Sequence, residues 1–213
     1  FSVFSADIDG DGDPDVLSAS SADDKVAWYK NDGNGNFDEQ PVIDNIFYLV
    51  HSAYAADIDR DEDLDIIAIG AYSIRWYPND GNGNFGSSKI IKRNLKKGRS
   101  VYSADLDGDG DPDVLSASSQ NDKIAWYEND GNGYFGEQQV VSVTLSWANS
   151  VCSADLNGDG TQDVLSTSYN DAKIAWYKND GNGNFSDQRV FTAIEEPNTV
   201  SSSDIDGDGD IDV

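Results

Sequence analysis

Residues 104–113 read Ala104-Asp105-Leu106-Asp107-Gly108-Asp109-Gly110-Asp111-Pro112-Asp113, and Lys123-Ile124-Ala125-Trp126-Tyr127 follows shortly after. The second stretch has the length and composition of a strand. Ile124 and Trp126 fall on one side of it, and Ala125 and Tyr127 on the other. Both sides are apolar, so the sheet it belongs to must be covered on both faces. Working outward, Ser100–Ala104 and Asp113–Ser118 also read as strands, as does the segment with Gln139, Val140 and Val141. Clusters of Ser, Asn, Asp and Gly separate all four. No segment sustains a 3.6-residue apolar period, which predicts essentially no helix.

The pattern repeats. The first aspartates of the acidic loops are Asp7, Asp57, Asp105, Asp155 and Asp204, spaced 50, 48, 50 and 49 residues apart. Trp-Tyr-x-Asn-Asp-Gly-Asn-Gly recurs at Trp28, Trp76, Trp126 and Trp176, each followed by a phenylalanine or its copy (Phe37, Phe85, Phe135, Phe185). The repeats run 1–48, 49–98, 99–148 and 149–198, with 199–213 opening a fifth. Four short strands per period, apolar on both faces, describe the blades of an all-β propeller, about 4.3 of them here. A solenoid of stacked sheets is the alternative, but it needs polar capping repeats, and neither end reads as a cap.

Composition narrows the partners. Against 14 basic side chains stand 40 acidic ones, for a net charge of −26 in 213 residues. Such a surface repels nucleic acid and anionic membranes, and no apolar run approaches the ~20 residues of a membrane span. The single cysteine, Cys152, excludes an internal disulfide. The chain does not begin with methionine and carries no visible signal peptide, so it reads as an excerpt of a longer, processed protein.

The acidic loops account for much of the charge. In the first, Asp7, Asp9, Asp11 and Asp15 occupy positions 1, 3, 5 and 9, with Gly10 and Gly12 between them. Carboxylates so spaced converge only if the chain curls, which glycine at positive φ permits. Once converged they repel one another unless a cation sits among them. Oxygen ligands in a flexible loop select Ca²⁺. We assign side-chain ligands at positions 1, 3, 5 and 9 and the backbone carbonyl at position 7, here Asp13. The third loop (Asp105, Asp107, Asp109, Asp113, with Asp111 at position 7) and the fifth (Asp204, Asp206, Asp208, Asp212, with Asp210) match it. The fourth (Asp155, Asn157, Asp159, Asp163, with Thr161) has one charge fewer and should bind more weakly. The second (Asp57, Asp59, Asp61, Asp65, with Asp63) carries Arg60 and Glu62 in place of both glycines. Its turn should be strained, and Arg60 could compete with the metal. The loops are not EF-hands, because position 12 is Ser18, Ala68, Ser116 or Ser166 where a bidentate Glu is required. Five ions, one per loop, would bring −26 to −16.

Asp-x-Asp-Gly-Asp-Gly-x-x-Asp-(Val/Ile), then Trp-Tyr, then Asn-Asp-Gly-Asn-Gly-x-Phe resembles the FG-GAP/VCBS repeat, the calcium-bearing propeller unit of integrin α subunits and of many secreted proteins. The resemblance spans the whole chain. It implies a propeller, usually seven-bladed, with one Ca²⁺ per loop and an extracellular or cell-surface setting. Seven blades at this period need roughly 340 residues, so the ring would be completed by further blades of the same chain or by neighbouring copies. The Asn-Asp-Gly-Asn-Gly segments are either further metal sites or hairpin turns, and Asn-Gly and Asp-Gly favour the turn.

Propeller topology puts the variable loops on the face opposite the calcium. Phe1, His51, Arg99, Asn149 and Asn198 enter the successive inner strands there. Tyr48 and Trp147 lie in the blade-linking loops, and Trp147 beside Asn149 either stacks on a sugar ring or plugs the gap between blades three and four. Lys89, Lys92, Arg93, Lys96, Lys97 and Arg99 form a local basic patch that either binds acidic glycans or an acidic neighbour, or pairs with nearby acids. Candidate ligand-binding residues are therefore Tyr48, His51, Arg99, Trp147 and Asn149. His51 is the only histidine, and Cys152 sits where the other inner strands have Phe4, Tyr54 and Tyr102, so a catalytic site is not expected. An adhesion or recognition module for a glycan or an extracellular protein is the first reading. A scaffold for a polysaccharide-active enzyme and a structural subunit of an extracellular filament or matrix are the alternatives.

Overall fold

A computed structural model describes residues 2–213, except the side chains of Thr192 and Ala193. Phe1, the first of the strand-entering positions, lies outside the described residues.

The described chain contains four antiparallel four-stranded sheets. The first is β1 (Ser2–Ala6), β2 (Asp15–Ser20), β3 (Lys25–Asn31) and β4 (Phe37–Glu39). The second is β5 (Ser52–Ala56), β6 (Asp65–Ile69), β7 (Ser73–Tyr77) and β8 (Lys89–Arg93). The third is β9 (Gly98–Ala104), β10 (Asp113–Ser118), β11 (Lys123–Tyr127) and β12 (Gln139–Ser142). The fourth is β13 (Ala148–Ala154), β14 (Asp163–Ser168), β15 (Lys173–Tyr177) and β16 (Arg189–Ala193). Each is a meander in chain order, as expected of a blade. No helix is present among the described residues, and so none long and apolar enough to cross a membrane.

Burial follows the two-sided pattern of the third strands. Ile124, Ala125, Trp126 and Tyr127 are all buried. The apolar clusters form at the seams: Leu17, Val26 and Trp28 pack with Ile66, Ala68 and Tyr77 between blades one and two, and the other two seams repeat this. The inner strands β1, β5, β9 and β13 lie side by side in that order. The blades form an open arc. Val200 donates its N–H to Ser150 Oγ at 3.3 Å, and Ser203 and Asp212 bridge each other, so residues 199–213 begin a fifth blade beside the fourth. The outward side of β15 is less deeply covered than its copies. Trp176 is only half-buried and stacks on Phe191 of its own blade at 6.2 Å.

Candidate functional site

The β1–β2 type connections carry the acidic loops, and their geometry starts from position 9. Asp15, Asp65, Asp113 and Asp163 are fully buried. Asp113 accepts the N–H of Leu106 and of Asn129, both at 2.9 Å, which clamps the loop to the turn after β11. Burial pushes the Asp65 and Asp113 carboxyls up to about 7. Position 1 curls the chain: Asp7 accepts from the N–H of Asp11 at 3.0 Å and of Gly12 at 2.9 Å.

In the first, third and fifth loops the carboxylates of positions 1, 3 and 9 converge, without Asp11, Asp109 or Asp208 of position 5, and the other two loops differ again. Oxygens of Asp7, Asp9 and Asp15 lie within 4.8 Å of one another, as do those of Asp105, Asp107 and Asp113, and of Asp204, Asp206 and Asp212. In the second loop the converging set is Asp57, Asp59 and Asp61, without Asp65. In the fourth, the Asn157 amide donates to Asp163 Oδ2 at 2.8 Å and closes the site internally. Arg60 and Glu62 take φ of 60° and 74°, the left-handed region that glycine occupies in the other copies. The Arg60 guanidinium turns away from its own loop and binds Asp111 Oδ1 of the third at 2.6 Å, so it joins two blades and does not compete within loop two. The position-7 side chains Asp13, Asp63 and Asp111 lie against Gly33, Gly81 and Gly131 of the turn in their own blade.

The residues fit a hard cation. Asp9 Oδ1 and Asp59 Oδ1 are buried with no hydrogen-bond partner, a costly state for a carboxylate oxygen. The Asp9 side chain is only 8% exposed. Two loops hold an internal cation nearby: Lys30 binds Asp9 and Asp11, and Lys178 binds Asp159 at 2.8 Å. Pro78 and Glu128 occupy that place in the second and third repeats.

The Asn-Asp-Gly-Asn-Gly segments are turns. Asp32 Oδ1 accepts from Asn34 N and Asn36 N at 2.9 and 3.1 Å, which uses the carboxylate locally. They also do something the sequence reading missed. The Asn129 side-chain amide donates to the Ile58 carbonyl of the preceding blade at 2.7 Å, and Asn79 and Asn179 make the same bridge to Ile8 and Leu106. The signal was present in the fixed Asn of every copy.

The opposite face opens onto a channel between the inner strands, about 570 Å³ in volume. His51, Arg99, Asn149 and Asn198 line its mouth, and Phe4, Tyr54, Tyr102 and Cys152 lie deeper. Asn149 donates to the Asn198 carbonyl at 2.9 Å, and Arg99 Nη1 lies 3.5 Å from His51 Nε2. Trp147 is half-buried at the seam of blades three and four. Its N–H donates to Asp122 at 2.8 Å, and its carbonyl accepts from Tyr169 N at 3.1 Å. Lys97 and Arg99 approach its ring, at 5.0 and 5.5 Å from the centroid. Trp147 therefore spans the seam and backs the mouth of the channel. Tyr48 stands apart from this group and stacks on Tyr72 at 5.6 Å, both rings more than half exposed. Among the described residues, none of the six basic side chains of the 89–99 patch is ion-paired with an acid. Cys152 is buried, and burial raises its thiol to about 11, the opposite of an activated nucleophile.

The model of the FG-GAP-like repeat matches residues 7–68, 57–116, 105–166 and 155–213. Direct comparison with curated protein sequences gives no match. Among solved structures, the chain is similar to an Agrocybe aegerita lectin described for specific recognition of non-reducing terminal N-acetylglucosamine, with a TM-score of 0.65 and 26% identity over 90% of this chain and 52% of that one. It is similar in fold to an exo-β-1,3-galactanase from Phanerochaete chrysosporium, with a TM-score of 0.52 and 12% identity, covering 83% of this chain and 47% of that one. It is likewise similar to the V. cholerae biofilm matrix protein Bap1, with a TM-score of 0.51 and 20% identity, covering 98% of this chain and 33% of that one. The chain thus spans about half the length of the lectin it resembles.

Proposed function

The chain belongs to the FG-GAP-like repeat family, and from that membership we propose that it is a calcium-stabilised recognition module, working outside the cell, that binds a glycan on the face opposite its acidic loops. One observation carries this reading. Equivalent positions of a regular frame deliver four side chains (His51, Arg99, Asn149 and Asn198) to one channel mouth. A rigid scaffold with its variation gathered at one site is how loops acquire binding function. The likeness to a fungal lectin supports a sugar as the ligand class.

Calcium would be held by Asp7, Asp9 and Asp15 in the first loop, and by their copies in the third and fifth. When bound, the ion supplies the positive charge that these carboxylates lack. The chain's own residues do the rest: the buried position-9 aspartates of the first four loops accept from the backbone N–H of the turn after the third strand, and the inner strands carry that order across to the channel mouth. Loops of this class suit the millimolar calcium found outside cells.

A glycan array probed with the protein in calcium tests the proposal. Binding to a defined set of sugars that weakens on substitution of Asn149 or His51 is expected. Absence of any bound glycan from the calcium-loaded protein would overturn it.

A further inference from the structure

None of the residues lining the channel is acidic, in a chain with 40 acidic side chains. At its mouth sits Arg99, which is half-buried, and among the described residues no carboxylate pairs with it or with Lys97. Its Nε donates to Ser119 Oγ at 3.2 Å and its Nη1 faces His51, and among the described residues no other side-chain or backbone acceptor takes its remaining donors. Trp147 backs it at 5.5 Å and Lys97 lies against the same ring. Trp147 holds φ at 66°, as Leu49, Lys97 and Glu196 hold 48°, 57° and 53° at the same place in the other blade-linking loops, so the turn of the frame sets where its ring stands. Partly buried charges are normally paired. Here the partner is absent from a protein with a large excess of acids to choose from.

We propose that this mouth receives the carboxylate of an acidic sugar residue, a uronic-acid type unit, with Arg99 as the anion-binding group. A planar guanidinium matches a carboxylate through two parallel hydrogen bonds. Lys97 adds positive charge, and Asn149 and Asn198 offer donors and acceptors for ring hydroxyls. Anion capture at Arg99 deepens the glycan reading and rests on it for the sugar, whereas the anion site stands on the geometry of Arg99 alone.

The test is titration of the calcium-loaded chain with sodium glucuronate and with glucose, followed by NMR of the Arg99 side-chain N–H and the Trp147 indole. Glucuronate should shift both signals and glucose neither. Arg99→Gln should weaken glucuronate binding at least about tenfold, Arg99→Lys less so, and Lys25→Gln, at the start of β3 and paired with Asp23, should leave it unchanged. Each variant is first checked for an unaltered melting curve. Equal responses to glucose and glucuronate, or glucuronate binding that survives in Arg99→Gln, would overturn the assignment. Glycan-array binding by the native chain with no glucuronate response at Arg99 would sink the anion site and leave the recognition reading standing. Glucuronate binding at Arg99 without any oligosaccharide binding would do the reverse.

Discussion

A methyl group placed on Gly133 would lie 2.0 Å from the ring of Trp76 in the preceding blade. Gly83 stands in the same relation to Trp28, and Gly183 to Trp126, each at 2.3 Å. The last glycine of the Asn-Asp-Gly-Asn-Gly turn in blades two, three and four is therefore the seat for the tryptophan of the blade before it. Gly133→Ala must displace Trp76 and also hold alanine at φ near 73°. Overpacking of this kind and a left-handed alanine together cost about 2–4 kcal/mol. Gly35 supplies the control: its φ is similar, at 83°, but nothing lies within 4 Å of its would-be Cβ. Gly35→Ala should lose only about 1 kcal/mol. Equal losses for the two variants in urea unfolding would show that the Trp76 seat contributes nothing.

That joint marks the limit of what was legible in the sequence. The strand Lys123–Tyr127 was readable to the residue, because alternation on two apolar faces is a local property. The acidic loops were equally legible, since carboxylates two residues apart leave few other physical explanations. The second loop was readable as strained from Arg60 and Glu62, but the destination of Arg60 was not. Asp111 lies 51 residues away, and only the stacking of blades brings it near. The same holds for Gly133 and Trp76. Asn-Gly is sufficient to explain a turn, so nothing local revealed that the turn also joins two blades. The channel mouth was half-legible: His51, Arg99 and Asn149 were found from repeat alignment, while Tyr48 belongs elsewhere.

Calcium should raise thermal stability, and the melting temperature should fall on exhaustive chelation. Without a cation the clustered carboxylates repel one another, and a ligand that binds only the folded state stabilises it logarithmically with concentration. Calorimetry with and without chelator checks this. Identical melting curves would remove calcium from the account of all five loops.

The loops should also differ in affinity because of the residue after each Trp-Tyr pair. In the first repeat, Lys30 lies on Asp9 and Asp11, and these two carboxylates hold its ammonium well above the usual lysine range. A calcium ion entering there must displace that ammonium. In the third repeat Glu128 takes the same place and adds negative charge, raising the Asp107 carboxyl after burial and Asp109. Lys30→Ala should strengthen terbium or calcium binding by the first loop about tenfold. Asn157→Asp should rebuild a three-carboxylate set in the fourth. Lanthanide luminescence sensitised by the nearby tryptophans reads both, and no change in either would show that the lysine and the amide do not gate the loops.

His51 gives the fold a pH dependence whose sign is fixed. Its imidazole is pushed down to about 4, first by burial and then by the positive charge of Arg99 and Lys97. In the unfolded chain the same ring titrates near 6.5. A proton therefore binds the unfolded state more readily between these values, and stability must rise with pH across that window. The contribution is complete above about 6.5 and is lost progressively as pH falls toward 4. Asp65 and Asp113, whose carboxyls burial pushes up to about 7, titrate in the same interval with the opposite sign, so the His51 part is read as the difference between the native chain and a variant without the imidazole. Between about pH 6.5 and 5, His51→Gln should lose less stability than the native chain as pH falls. The ring-proton NMR signal of His51 should titrate with a midpoint near 4. A midpoint at 6 or above would mean that Arg99 and Lys97 are already neutralised, or that the channel mouth is more open to water than its packing indicates.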